Sequence, residues 1–175
     1  MRMIATRLRE GQDLKQSIER LVAAMHVSAA AVMSGVGSLH GAVLRMAGAE
    51  AGKQDIRTLD GPFEIVSLVG NLGLGRTHVH MAVSDKNGKV VGGHVKEGCI
   101  VHTTVELVLA VEDSLTFSEA PDPQTGFASW ISVERKLHGS VSFLRHNAAR
   151  LRRSARYTRT SSRIPLCCWY NQSND

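Results

Sequence analysis

Apolar positions along the chain follow two periods. After a short alternating stretch over residues 1–8, Leu14, Ile18, Leu21, Val22 and Met25 recur at helical spacing. Gly11 and Asp13 precede them, and Asp13 suits an N-cap. The spacing predicts one amphipathic helix whose apolar stripe covers a sheet. From Ser28 onward the pattern changes to short apolar runs between turn residues. The runs are Ala29–Met33, Ser38–Met46 (entered through Gly35-Val36-Gly37), Ile56–Leu59, Phe63–Val69, His78–Val83, Lys89–Val91, Ile100–Val111 and Ser114–Phe117. Their Val, Ile and Thr content predicts strands. One helix followed by many short strands is an α+β pattern, with a mostly antiparallel β-sheet packed against one main α-helix. Pro121-Asp122-Pro123 then ends the regular pattern.

Composition divides the chain at the same place. The whole carries a formal charge of +5 over 175 residues. Residues 1–127 sum to −2, and residues 128–175 sum to +7. We therefore expect a domain over 1–127 and a basic, Arg/Ser-rich, poorly ordered tail over 128–175. Within the tail, 136–152 has no clear apolar face and 153–175 reads as disordered. Two origins fit such unpatterned sequence: a genuine basic arm, and translation out of frame. A genuine arm would offer Arg150, Arg152, Arg153 and Arg156 to nucleic acid, through non-specific, salt-dependent contacts.

No apolar run reaches the roughly 18 residues of a membrane span, and the N-terminal segment has no signal-peptide core. The three cysteines, Cys99, Cys167 and Cys168, form neither a closed disulfide set nor a CxxC zinc pattern. This predicts a reduced, cytoplasmic protein without a membrane partner.

The chemistry concentrates in histidines. His78-Val79-His80 is an H-x-H on a predicted strand, so both rings point to one face about 7 Å apart. Asp85-Lys86-Asn87-Gly88 reads as a type I turn with Gly88 in the left-handed position and a G1 bulge. The loop is then Lys86-Asn87-Gly88, Asp85 faces Lys89, and His80 faces His94 across the hairpin. A two-residue loop would pair His80 with Val95 and turn His94 to the other face. Gly92-Gly93 leaves room for a further bulge. In the first register three imidazoles converge and leave a position for water, as in catalytic zinc sites. The expected cofactor is a divalent metal, zinc by default, although nickel, copper or iron also suit imidazole. His26, His40, His102, His138 and His146 show no such grouping. Glu64, set between apolar residues, is the candidate carboxylate for acid/base work, with Glu106 a similar case. The glycine-rich 70–75 segment lacks a P-loop's Lys-Ser/Thr and reads as a loop.

In order, Gly35-Val36-Gly37-Ser38-Leu39, GPFEIVSL at 61–68, His78-Val79-His80, and Gly92-Gly93-His94 with Glu106-Leu107 resemble the plants-and-prokaryotes conserved (PPC) domain over residues 3–127. The resemblance implies a trimeric α+β domain, its H-x-H and G-G-H histidines falling on His78, His80 and His94. It implies a protein-partner segment at Phe63, Glu64, Ile65, Val66, Ser67 and Leu68. Bacterial members are commonly labelled DNA-binding, but the AT-hook core Arg-Gly-Arg-Pro of plant members is absent here. The fold is also similar to that of acetolactate decarboxylase, which holds zinc with three histidines. Two functions follow as expectations. One is a regulatory, DNA-associated binding module. The other is a metal-dependent, decarboxylase- or hydrolase-like enzyme on a small carboxylate or carbonyl substrate.

Overall fold

The computed structural model describes residues 1–48, 53–123, 126, 128–135 and 141–142, all within one compact unit, Met1–Arg145. The elements run β1 (Arg2–Arg9), α1 (Leu14–Ala24), β2 (Ala30–Arg45), β3 (Ile56–Gly73), β4 (Arg76–Ser84), β5 (Val90–Val95), β6 (Val101–Val111), β7 (Leu115–Pro121), β8 (Ala128–Arg135) and β9 (Val141–Ser142).

The helix starts where expected. Asp13 Oδ1 accepts from Gln16 N–H at 2.9 Å, capping the first turn, while Oδ2 accepts from Gly98 N–H at 2.6 Å. Leu14, Ile18 and Val22 are buried on one stripe. They join a core fed by alternate positions of the strands, including Leu44, Val79, Met81, Val83, Val95, Val101 and Leu107. Cys99 sits in this core, and burial raises its thiol pKa to about 11, so it behaves as a small apolar residue.

Six antiparallel strands form the main sheet in the order β1-β6-β2-β3-β4-β5. The long strand β2 carries its closure. Its first half pairs β6, and past the end of β6 Leu44 and Arg45 pair Val95 and His94 of β5. The strands β2, β3, β4 and β5 therefore close on themselves, and β5 lies between β4 and the end of β2.

Sequence runs read as separate strands are here continuous. Ala29–Met33 and Ser38–Met46 belong to a single strand that bends through register shifts at Val32/Ser34 and Gly37/Leu39. Glycine is required at this bend. A Cβ on Gly37, where φ is 149°, would lie 2.0 Å from Thr104 O, and one on Gly35 would lie 2.3 Å from Leu68 Cδ2. The 70–75 segment, expected as a loop, is strand up to Gly73, and the turn is only Leu74-Gly75.

A second sheet, β7-β8-β9, begins after the main one. It uses Ala128–Arg135, the first residues of the segment expected to be a poorly ordered tail. Trp130 packs edge-on against Phe117, with centroids 5.1 Å apart. The segment 136–152, the segment 153–175 expected to be disordered, and the candidate arginines Arg150, Arg152, Arg153 and Arg156 lie outside the described residues, apart from the short β9.

Candidate metal centre

The Asp85–Lys89 hairpin sets the centre. Asp85 N–H donates to Lys89 O at 3.0 Å, Gly88 N–H donates to Asp85 O at 2.9 Å, and Gly88 has φ 79°. Asp85 Oδ1 also accepts from the N–H groups of Asn87 and Lys89, which hold its carboxyl below the usual range. This is the three-residue loop, and it places His80 opposite His94. Gly92 and Gly93 carry no bulge. They pair regularly with Ala82 and Met81, and glycine is needed because the backbone is crowded on both sides. A Cβ on Gly93 would lie 2.7 Å from Arg45 O, and one on Gly92 would lie 2.9 Å from Met81 O.

Val79, Met81 and Val83 turn inward, so His78 and His80 share the outward face of β4 with His94 of β5. The three ring centroids stand 5.1, 5.1 and 5.3 Å apart. Their ligand atoms all lie within 4.8 Å of one another, and His78 Nε2 is 3.1 Å from His80 Nε2. Three imidazoles bound at about 2.0–2.1 Å to one tetrahedral ion would place their centroids about 5.2 Å apart and their nitrogens about 3.3 Å apart. The donor set therefore fits a borderline divalent ion. His94 Nδ1 is buried without a hydrogen-bond partner, an unmet polar demand at the cluster.

His94 and His78 are held neutral, the state in which imidazole ligates. Burial pushes the His94 pKa down to about 3, with the positive charges of Arg45 and Lys96 adding to the effect. Burial, then the charge of Arg76, lowers that of His78. Arg76 is itself buried. Its Nη1 donates to Glu119 Oε1 and its Nη2 donates to His78 Nδ1 at 2.9 Å. A guanidinium only donates, so in the metal-free protein His78 Nδ1 accepts and the ring proton sits on Nε2, facing His80; ligation through Nε2 requires that proton to move to Nδ1 and the Arg76 contact to be released. Glu119 of β7 thus reaches the centre through Arg76. Sequence reasoning missed this relay because Arg76 and Glu119 are far apart in the chain and neither belongs to a local motif.

Among the described residues no carboxylate joins the histidine group. Glu64 is exposed and pairs Ser84, four residues along β4 from His80, a distance of about 13 Å. Glu106 is exposed between Arg7 and Val36. In the candidate partner segment, Phe63, Ile65 and Leu68 are buried, whereas Glu64, Val66 and Ser67 face out.

Another histidine grouping does occur, contrary to the expectation that the rest are scattered. His40 Nε2 and His102 Nδ1 are 3.2 Å apart, and Glu10 Oε1 is 3.8 Å from His40 Nε2. The neighbours come from strands β2 and β6 and the end of β1, and no local spacing signals them.

The model of the Plants and Prokaryotes Conserved (PCC) domain matches residues 1–113. Two curated relatives, each named bifunctional protein GlmU and from two strains of Synechococcus, are 41% and 40% identical over 127 residues. Those residues are 73% of this chain but only 20% of each relative, so the chain spans about a fifth of their length. Among solved structures, a hypothetical protein from Salmonella is 38% identical with a TM-score of 0.73, over 77% of this chain and 95% of that one. A protein from Archaeoglobus fulgidus named as metal-containing is 29% identical with a TM-score of 0.66, over 75% of this chain and 94% of that one.

Proposed function

The chain belongs to the Plants and Prokaryotes Conserved domain family, and from that membership we propose that it is a metal-binding regulatory module centred on His78, His80 and His94. The observation that carries this reading is the near-equilateral triangle of imidazoles, with sides of 5.1–5.3 Å. The metal-containing name of the Archaeoglobus relative supports it. Zinc is the ion the geometry favours, and when bound it would supply a Lewis acid with a free coordination position. Arg76 holds His78 in the metal-free protein, and Glu119 compensates the buried guanidinium.

The module assembles with copies of itself, a homotrimer by family resemblance. Met33 and Val36 of β2 and Val66 and Val69 of β3 are exposed apolar side chains on adjacent strands, and Val69 pairs His80. Such a strip marks an interface more often than a solvated surface. DNA contact, in this reading, comes from the +7 segment after residue 127 and is non-specific.

The test is metal analysis of purified, zinc-loaded protein beside His80→Ala, with DNA titrations at rising salt for the full chain and a chain ending at Arg145, which keeps β8 and removes Arg150, Arg152, Arg153 and Arg156. One ion per chain, lost in His80→Ala, and DNA binding lost with the tail are expected. Metal that survives His80→Ala refutes the centre, and equal DNA binding by the shortened chain refutes the tail's role.

A second reading, a metal-dependent enzyme on a small carboxylate or carbonyl substrate, rests on a cavity of about 340 Å³ beside His80 and His94.

A further inference from the structure

That cavity contains a guanidinium with no partner among the described residues. It is lined by Arg45, Met46, Gly48, Gly93, His80 and His94, among others. Arg45 is the last residue of β2, and the closure of the sheet pairs it directly with His94. His94 in turn pairs His80, so Arg45, His94 and His80 form one cross-strand row on one face. Arg2, Arg57 and Arg76 each engage a carboxylate. Arg45, half-buried, makes no hydrogen bond or ion pair with any described residue.

The electrostatics of the row are one-sided. Three neutral imidazoles leave the whole charge of a divalent ion uncompensated, and no described carboxylate joins them. Arg45 and Lys96 add positive charge felt at His94. A divalent ion facing an unpaired guanidinium is unfavourable unless an anion enters with it. A guanidinium fork matches the two oxygens of a carboxylate or phosphate group.

We propose that Arg45 is an anion-anchoring residue, and that the ion at His78, His80 and His94 is bound together with a small oxyanion that fills its free position and pairs with Arg45. The proposal rests on the metal reading above and adds the ligand class. The Gly92-Gly93 pair leaves the floor of the cavity without side chains, and the volume of about 340 Å³ admits a ligand of a few heavy atoms. Carboxylate and phosphate share this chemistry and are separated experimentally.

The experiment loads the full chain with Co²⁺ alone and measures stoichiometry, then titrates acetate and inorganic phosphate separately while following the visible cobalt bands. Wild type, Arg45→Gln and Arg45→Lys are compared. Saturable band shifts are expected in wild type, and the tighter of the two anions identifies the oxyanion class. In Arg45→Gln, Co²⁺ is held as well as or better than in wild type, and anion affinity falls at least tenfold. Arg45→Lys recovers part of that loss. Circular dichroism confirms the fold of each variant. Should Arg45→Gln not fold, Arg45→Lys alone decides, with a loss of at least threefold expected. Anion affinity unchanged in either folded variant overturns the proposal, as does Co²⁺ bound at one per chain with no anion response. A chain that takes up no Co²⁺ overturns the metal reading and this proposal with it.

Discussion

Arg76 and Glu119 make an asymmetric pair, and the asymmetry fixes the sign of a double-mutant experiment. The Arg76 side chain is 4% exposed, whereas that of Glu119 is 43% exposed. Removing Glu119 leaves a guanidinium enclosed with, among the described residues, only His78 Nδ1 to accept from it, its Nε already lacking a partner there. Breaking a buried pair from one side costs about 3–5 kcal/mol. Glu119 keeps part of its hydration, so the low end applies, about 3 kcal/mol for Glu119→Ala. Removing Arg76 leaves Glu119 free to take up water. Arg76→Met keeps most of the packing, loses two hydrogen bonds worth about 1 kcal/mol each, and regains part of that by not burying a charge, for a net cost of about 1 kcal/mol. In the Arg76→Met background, Glu119→Ala should cost nothing further. Urea unfolding of the metal-free protein measures this, with midpoints converted through a common slope. Additive costs in the double variant, or Arg76→Met costing more than Glu119→Ala, would refute the relay.

Other predictions concern the centre's placement and charge. Gly93→Ala forces a Cβ to within 2.7 Å of Arg45 O and parts β5 from β2. It should cost about 1–3 kcal/mol, seen as a melting point lowered by several degrees, and should weaken zinc binding in parallel. Glu64→Gln should leave zinc affinity within about twofold of wild type by competition with a chelator dye, since Glu64 lies about 13 Å along the strand from His80. His94 is neutral in the folded state down to about pH 3, whereas an unfolded histidine takes up a proton near pH 6.5. The unfolded chain therefore binds more protons below pH 6.5, and this residue's contribution is lost progressively as pH falls from about 6.5 toward 3. His78 shifts in the same direction. Urea midpoints of the metal-free protein at pH 7.5 and 4.5 should differ less in His94→Asn than in wild type.

Much of the centre was legible because its placement is a problem of local register. The turn Asp85–Gly88 fixes the count that sets His80 against His94, and period-two alternation puts His78 on the same face. The helix was legible for the same reason, through Asp13 and the stripe of Leu14, Ile18 and Val22. What was not legible depends on contacts distant in sequence. Arg45 meets His94 only because β2 outlasts β6 and lets β5 close the sheet. Glu119 meets Arg76 only because β7 passes beside the start of β4, and His40 meets His102 across two strands. Gly35 and Gly37 mark close approaches that no local pattern announces, the first to the Leu68 side chain and the second to the Thr104 backbone. The β7–β8 pairing eluded composition, since Ala128–Arg135 opens a segment whose average character is that of a basic tail.

The account stands on three imidazoles sharing one ion. X-ray absorption at the zinc edge of the loaded full chain tests that most directly. It should show three imidazole nitrogens at about 2.0–2.1 Å and one oxygen donor, with the imidazole signal reduced in His94→Asn. A shell of sulfur donors, or a shell without imidazole scattering, would contradict it.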